Sequence, residues 1–241
     1  MSPEVLAELA PTGVLRAGIN LANFLLVSGK SAAGDPEGVA PDMARELARR
    51  LGVPVKYLPF DSPGALADQA GNGVWDIGLI GAEPERAETI AFTAAYAEIE
   101  ATYLVPPGSP LAALADVDAP GVRIAVTGRS AYGLWLDRNI RHAALVRTET
   151  LDAAYEVFVR DKLEALAGLR PRLLSERERL PGARILEGKF ATVQQAIGTP
   201  RKNLAGAPFL AAFVEEAKAS GLVARLIAAR QVRGLSVAPA A

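Results

Sequence analysis

Apolar positions along this chain switch repeatedly between a strand-like and a helix-like period. Residues 14–20 (VLRAGIN) read as a strand, and 42–51 (DMARELARRL) as a helix with Met43, Leu47 and Leu51 on one face. Pro41 at its start and Gly52 just past its end fit the usual asymmetry of helix boundaries, and Glu46 and Arg50 are spaced for an outward i,i+4 pair. Residues 53–60 (VPVKYLPF) predict a second strand. Ser62-Pro63 then opens a short helix ending near Gly71, by cap and first-turn proline. Residues 75–80 (WDIGLI) are almost wholly apolar apart from Asp76, as suits a central strand covered on both faces.

The rhythm returns further on. Strands are predicted over 122–127, 143–147 and 162–167, with helices over 130–140 and 151–160; Tyr155, Phe158 and Val159 supply an apolar face to the second helix. No residue-level repeat accompanies this similarity. Two β-α-β-α-β sets predict an α/β protein of two lobes, because right-handed crossovers place helices on both faces of each sheet. Residues 111–121 read as a linker-like prelude to the second set. After a short strand (ARILEG) comes a polar, extended run, KFATVQQAIGTP, then helices over 206–220 and 222–230. This C-terminal part shows no strands of its own, so it is expected to pack on the first lobe. The expected division is lobe 1 from 1–97 plus 196–241 and lobe 2 from 98–195, with crossovers near 97–102 and 192–195.

Composition narrows the function classes. The chain has 241 residues, half of them hydrophobic and 22% charged, enough to bury proper cores. A net charge of -1 provides no basic footprint for nucleic acid and no polybasic membrane patch. No apolar run is long enough to span a bilayer. The absence of Cys excludes disulfides, thiolate zinc sites and cysteine nucleophiles, and a single histidine, His142, argues against a histidine metal site or a Ser-His-Asp triad. No metal or cofactor is expected: Gly29-Lys30-Ser31 lacks the first glycine of a phosphate loop, and the turn after strand one lacks the dinucleotide glycine pattern. The start, MSPEVLAELAPTG, lacks the basic residues and apolar stretch of a signal peptide, so the chain is expected either to stay cytoplasmic or to have lost a leader.

Arg86 is the first candidate for chemistry. It follows the 75–80 strand, whose C-terminal end is the edge where open α/β sheets bind ligands. A guanidinium is a planar fork that grips a carboxylate through two parallel hydrogen bonds. Glu83, Glu85 and Glu88 lie close in sequence, so a solvated surface ion pair is the competing reading.

Several segments, in order, carry a family resemblance: LRAGIN; GVAPDMARELARRLG; WDIGLIGAEPERAETIAFTAAY; GVRIAVTGRSAYG; and QQAIGTP before two terminal helices. They resemble the solute-binding proteins of ABC transporters, in the polar amino-acid-binding family. That resemblance implies a type II periplasmic-binding-protein clamshell, each lobe a mixed, mainly parallel sheet flanked by helices. It makes Arg86 the residue holding the ligand's carboxylate. Thr127, Gly128, Arg129, Ser130, Ala131 and Tyr132 match the second lobe's ligand loop, where N–H groups at a helix start would face the same anion. For Ser130 an ordinary N-cap role is compatible with this. Asn20, Asn23 and Phe24 match the loop after the first strand, although Phe24 could simply be core, and Asp61 and Ser62 match the loop after the second.

Two departures bear on the ligand. Where the family commonly has a carboxylate-contacting Thr, this chain has Gly81-Ala82-Glu83-Pro84. Where amino-acid binders usually carry an Asp for the ligand's ammonium, it has Gly168-Leu169-Arg170. A buried ammonium without a counter-charge costs several kcal/mol. Glu83 could replace that acid; alternatively Arg129 or Arg170 could meet a second anionic group, or be solvent-exposed.

The resemblance implies a non-catalytic, periplasmic, monomeric binder of a small carboxylate, amino acid or organic acid, which closes on its ligand and presents it to a membrane permease. Two alternatives stand beside it. One is a lyase or dehydratase on the same fold, for which Glu83 and Asp61 are the only acid–base candidates. The other is a ligand-sensing regulatory domain, disfavoured because no helix-turn-helix precedes Leu15.

Overall fold

The computed structural model describes residues 2–241. Helix α1 (Pro3–Leu9) leads into β1 (Leu15–Asn20), a short hairpin of β2 (Gly29–Lys30) and β3 (Pro36–Glu37), and α2 (Val39–Leu51). Then come β4 (Val55–Phe60), α3 (Pro63–Asp68), β5 (Ile77–Gly81), α4 (Pro84–Ala87), β6 (Ile90–Phe92) and the long β7 (Ala97–Val105). The second series is β8 (Arg123–Thr127), α5 (Ala131–Asn139), β9 (Ala144–Thr148), α6 (Leu151–Arg160), β10 (Ala165–Leu169), α7 (Arg170–Arg179) and β11 (Arg184–Ile185). The chain closes with β12 (Ala191–Pro200), α8 (Gly206–Ala219), α9 (Leu222–Ala229) and β13 (Ser236–Val237). Two compact units result: residues up to Glu98 with Gln194–Ala241, and Ile99–Val193.

In the first unit the sheet order is β4-β1-β5-β12, with β6 beside β12. β1 runs parallel to β4 and β5, whereas β12 is antiparallel to β5 and β6. Leu66, Trp75, Ile80 and Ile90 form one of its buried clusters. Asp76, the lone acid in the 75–80 run, is buried because Arg16 grips both its oxygens: Nε at 3.0 Å and Nη2 at 2.6 Å, with the Arg16 backbone N–H at 2.9 Å. The charge-assisted fork satisfies a carboxylate that would otherwise be costly to bury.

Helix α2 begins three residues earlier than the sequence pattern predicts, at Val39, so Pro41 sits within its first turn, where no intrahelical N–H is needed. Its N-cap is Gly38, with φ 147°, and a Cβ there would lie 2.2 Å from the Leu26 carbonyl oxygen. Only glycine fits this close approach. The expected Glu46–Arg50 pair is not formed: Glu46 pairs with Arg49, and Arg50 reaches Glu216 on α8. The C-terminal part does carry strands, contrary to the expectation. β12 is a full ten-residue strand, and β13 pairs with the start of β7 at Ser236↔Glu98 and Val237↔Ala97.

The second unit repeats the plan with order β7-β10-β8-β9. β8 runs parallel to β9 and β10, and β10 is antiparallel to β7. Its core gathers Leu104, Ala125, Tyr155, Phe158, Leu163, Leu166 and Leu173. Full burial of each large side chain here contributes about 1.5–3 kcal/mol. Helix α7, which the sequence pattern does not predict, follows β10 directly and accommodates Pro171 in its first turn.

Candidate functional site

Parallel pairing decides where the candidate residues gather. Since β1, β4 and β5 run in one direction, Asn20, Asp61 and Gly81 with the loops after them lie at one edge of the first unit's sheet. β8 and β10 do the same in the second unit for Thr127 to Tyr132 and for Gly168 to Arg170.

In the first unit β5 is buried along its whole length and ends at Gly81. The Ala82 N–H donates to the Gln194 carbonyl at 2.8 Å, tying the strand end to β12. Glu83 caps α4 through its carbonyl, which accepts from the backbone N–H groups of Arg86 and Ala87, both at 3.0 Å. Pro84 fixes the first helical position, and the third is Arg86, only 5% exposed. Arg86 Nη1 donates to the Gly81 carbonyl at 2.7 Å. The solvated surface arrangement is therefore not what the chain adopts. A short helix turns the arginine back on the strand it follows and holds its guanidinium at the strand's C-terminal end.

The loop after β1 is held by two asparagines. Asn20 Oδ1 accepts from Ala22 N–H at 3.1 Å, and the buried Asn23 uses Oδ1 for Leu25 N–H at 3.2 Å and its carbonyl for Leu26 and Val27. These turns raise Phe24, which is 38% exposed and so not core. After β4, Asp61 is exposed, and Ser62 caps α3 by accepting from Ala65 N–H at 3.1 Å.

In the second unit β8 ends at Thr127, and the Gly128 N–H donates to the Thr148 carbonyl at 2.8 Å. Arg129 takes the left-handed region at φ 58° and is exposed. Ser130 then caps α5: its hydroxyl donates to the Thr127 carbonyl at 2.7 Å and accepts from Gly133 N–H at 3.0 Å. The first turn of any helix leaves N–H groups without intrahelical acceptors and carries the positive end of the helix dipole, so Ala131 and Tyr132 begin an anion-favouring position. Tyr132 is itself buried, and desolvation raises its phenol above the ordinary value.

At the end of β10, Gly168 and Leu169 are buried. Arg170 donates from Nε to Glu100 at 2.8 Å and from Nη2 to the Gly188 carbonyl. Glu100 lies below the usual carboxylate range because Arg170, and then Lys189, hold its charged form. Arg170 is thus engaged within its own unit by residues that sequence proximity could not reveal. Among the described residues no cluster of ligand-type side chains could hold a metal ion. A cavity of about 440 Å³ lies at the opposite edge of the first unit's sheet, beside Arg16 and Asp76, which are committed to each other.

Comparison with known proteins decides the family. A sequence model of bacterial extracellular solute-binding proteins, family 3, matches residues 22–229. The chain belongs to that family. Its relatives among solved structures are distant in sequence and close in fold. An ancestral amino-acid-binding protein, described as a precursor of cyclohexadienyl dehydratase, is 20% identical with a TM-score of 0.74, over 93% of this chain and 98% of its own. A binding component of an ABC transporter from Wolinella succinogenes, complexed with lysine, is 19% identical with a TM-score of 0.74, over 89% and 94%. A histidine kinase sensor domain similar to periplasmic binding proteins is 15% identical with a TM-score of 0.76, over 93% and 98%. At such identities the likeness establishes the fold alone, that of the two-lobed type II periplasmic binding proteins. No match is found among curated proteins. Within this family 3 member, no helix among the described residues is long and apolar enough to cross a membrane.

Proposed function

We propose that this chain is the solute-binding component of an ABC-type transport system and captures a small carboxylate-bearing ligand, an amino acid or an organic acid, without transforming it. The observation that carries this reading is the buried Arg86 guanidinium at the C-terminal end of β5 in a family 3 protein. Arg86 is the clamp on the carboxylate, and the Thr127–Tyr132 turn offers N–H groups to the same anion. Asn20, Asn23, Phe24, Asp61, Gly81, Ala82 and Glu83 complete the first lobe's share. The second lobe adds Arg129, Ser130, Ala131 and Gly168, with Arg170 beside them. Lobe 1 (1–97 and 196–241) and lobe 2 (98–195) close by bending along β7 and β12, the strands that pass from one unit to the other, and ligand shifts the population toward closure. The partner is a membrane permease, the compartment the periplasm and the working form a monomer.

The ligand's second group is constrained by Leu169, buried and apolar where an ammonium-pairing acid is expected. An α-amino acid would need Glu83 as its counter-charge; a plain organic acid needs none. A thermal-shift screen of the twenty amino acids against succinate, malate, citrate and other organic acids tests the proposal. At least one carboxylate raises the melting temperature of the wild type and fails to do so for Arg86→Ala. Absence of any shift across the panel, together with identical behaviour of the variant, overturns it. The dehydratase-precursor neighbour gives the enzyme reading its one support. Turnover of a carboxylic acid by the wild type, lost in Glu83→Gln, would establish that reading instead.

A further inference from the structure

Against the Thr127–Tyr132 turn lies a small cavity wholly within the second unit, largely apolar but edged by polar side chains. Its volume is about 10 Å³, and it is lined by Thr127, Tyr132, Gly168, Arg172 and Glu176 together with apolar neighbours. Four buried atoms of those side chains make no hydrogen bond: Thr127 Oγ1, Tyr132 OH, Arg172 Nε and Glu176 Oε1. The Tyr132 hydroxyl is close enough to those of Thr127 and Ser130 for them to oppose, without outweighing, the rise that burial gives its phenol. Glu176 Oε1 lies 2.5 Å from Arg172 Nη2 as an ion pair, again without hydrogen-bond direction. Tyr132 is 4% exposed and Glu176 1%, so bulk water does not satisfy these groups. A buried polar atom left unpaired costs about 1–3 kcal/mol, and native proteins rarely leave several around one space.

The donor and acceptor inventory selects the occupant. Arg172 Nε–H can only donate, and the Glu176 oxygen, paired with Arg172 and Arg179 through its carboxylate, serves as an acceptor. A metal cation cannot accept from Nε–H, and an anion cannot donate to Oε1. Only a small neutral species that does both fits, and the two hydroxyls can adjust to its remaining hydrogen and lone pair. A cavity of one probe sphere holds one water, given two to four polar partners. We propose that a single structural water occupies this cavity and braces the ligand turn: Thr127 ends β8 and Tyr132 opens α5, so the water ties both ends of the turn to Arg172 and Glu176 on α7. Thr127 and Tyr132 are thereby positioning residues for the anion-facing N–H groups. That second part rests on the binding function proposed above; the water itself does not.

A crystal structure of the full chain at better than about 1.8 Å, with oxygen-17 relaxation dispersion in solution, tests the water. Expected is one peak within about 2.6–3.2 Å of at least three of the four atoms, and one fewer long-lived water in Tyr132→Phe. Side chains bonded directly to one another, or an unchanged water count in that variant, overturn the site. For the positioning role, the best carboxylate of the screen serves as probe. Its Kd is expected to rise about tenfold in Tyr132→Phe and in Thr127→Val, the scale seen when outer-shell partners are lost, and to be restored in Thr127→Ser. Wild-type affinity in Tyr132→Phe and Thr127→Val, with binding still lost in Arg86→Ala, rejects the brace while leaving the binding function intact. Unchanged binding in Arg86→Ala as well rejects the parent reading.

Discussion

Replacing Arg86 by alanine should separate a structural role from the ligand-binding role proposed for the same side chain. The first is structural. Arg86 Nη1 donates to the Gly81 carbonyl at 2.7 Å, and a truncated side chain removes that buried hydrogen bond. The cost is about 1–3 kcal/mol of stability. The second role is ligand capture. A bidentate guanidinium–carboxylate contact consists of two charge-assisted hydrogen bonds, each about 1.5–3 kcal/mol, so its loss amounts to about 3–6 kcal/mol. At 1.4 kcal/mol per decade this is a rise in Kd of roughly a hundredfold to ten-thousandfold. Arg86→Lys keeps the charge but not the fork, and should fall between wild type and alanine. Calorimetric titration with the best carboxylate of the screen reads the second role, and urea denaturation without ligand reads the first. If stability falls while affinity stays within about threefold, Arg86 is a strut for the β5–α4 corner and the clamp assignment is refuted.

Other perturbations follow from the same geometry. Gly38→Ala combines φ 147° with a Cβ only 2.2 Å from the Leu26 carbonyl oxygen. Strain and clash together should cost about 3 kcal/mol or more, lowering the melting temperature by roughly 10 °C; a change under about 2 °C would contradict this account of the α2 start. In the second unit, Arg123 binds Glu164 through Nε at 2.9 Å, Nη2 at 2.8 Å and its backbone N–H at 2.8 Å. Arg123 thereby lowers the Glu164 pKa in the folded state. The unfolded chain then takes up the proton first, so the stabilisation is complete above the ordinary carboxylate range and is lost as pH falls through the lower folded value. Both side chains are substantially exposed, 43% and 35%, so Glu164→Gln should cost no more than about 1 kcal/mol at pH 7. In urea melts that gap should close toward pH 3, and a gap independent of pH rejects the ion-pair origin.

What the sequence made legible follows from which signals are local. β1, β4, β5, β8, β9 and β10 carry apolar runs dense enough to mark them within a few residues, and the cap-and-glycine pattern bounded α2 at its C-terminus. Helix α7 escaped because RPRLLSERER is mostly charged and buries little beyond Leu173 and Glu176. Glu176 is buried through contacts with Arg172 and Arg179 along the same helix, a pairing that from sequence alone reads as a solvated face. β7 and β12 were read as crossings or extended polar chain. Their strand character depends on partners far away in sequence, such as Leu169↔Ala101 and Gln195↔Gly81.

The candidate site divides along the same line. Three nearby glutamates make a surface pair the simplest local reading of Arg86, whereas in the folded chain the residue is buried in the α4 turn. Arg170 went the other way. It looked available to an anion because its acceptor, Glu100, stands 70 residues earlier on the neighbouring antiparallel strand. The two arginines have the same chemistry, and each follows the end of a buried strand. They differ in what the adjacent chain offers. Beside Gly81 a backbone carbonyl takes one guanidinium nitrogen and turns Arg86 toward the strand end. Beside Leu169 a carboxylate meets Arg170 and neutralises it. Burial of Arg86 at the end of β5, rather than the mere presence of arginine at a strand end, is what makes it and not Arg170 the proposed grip on a ligand.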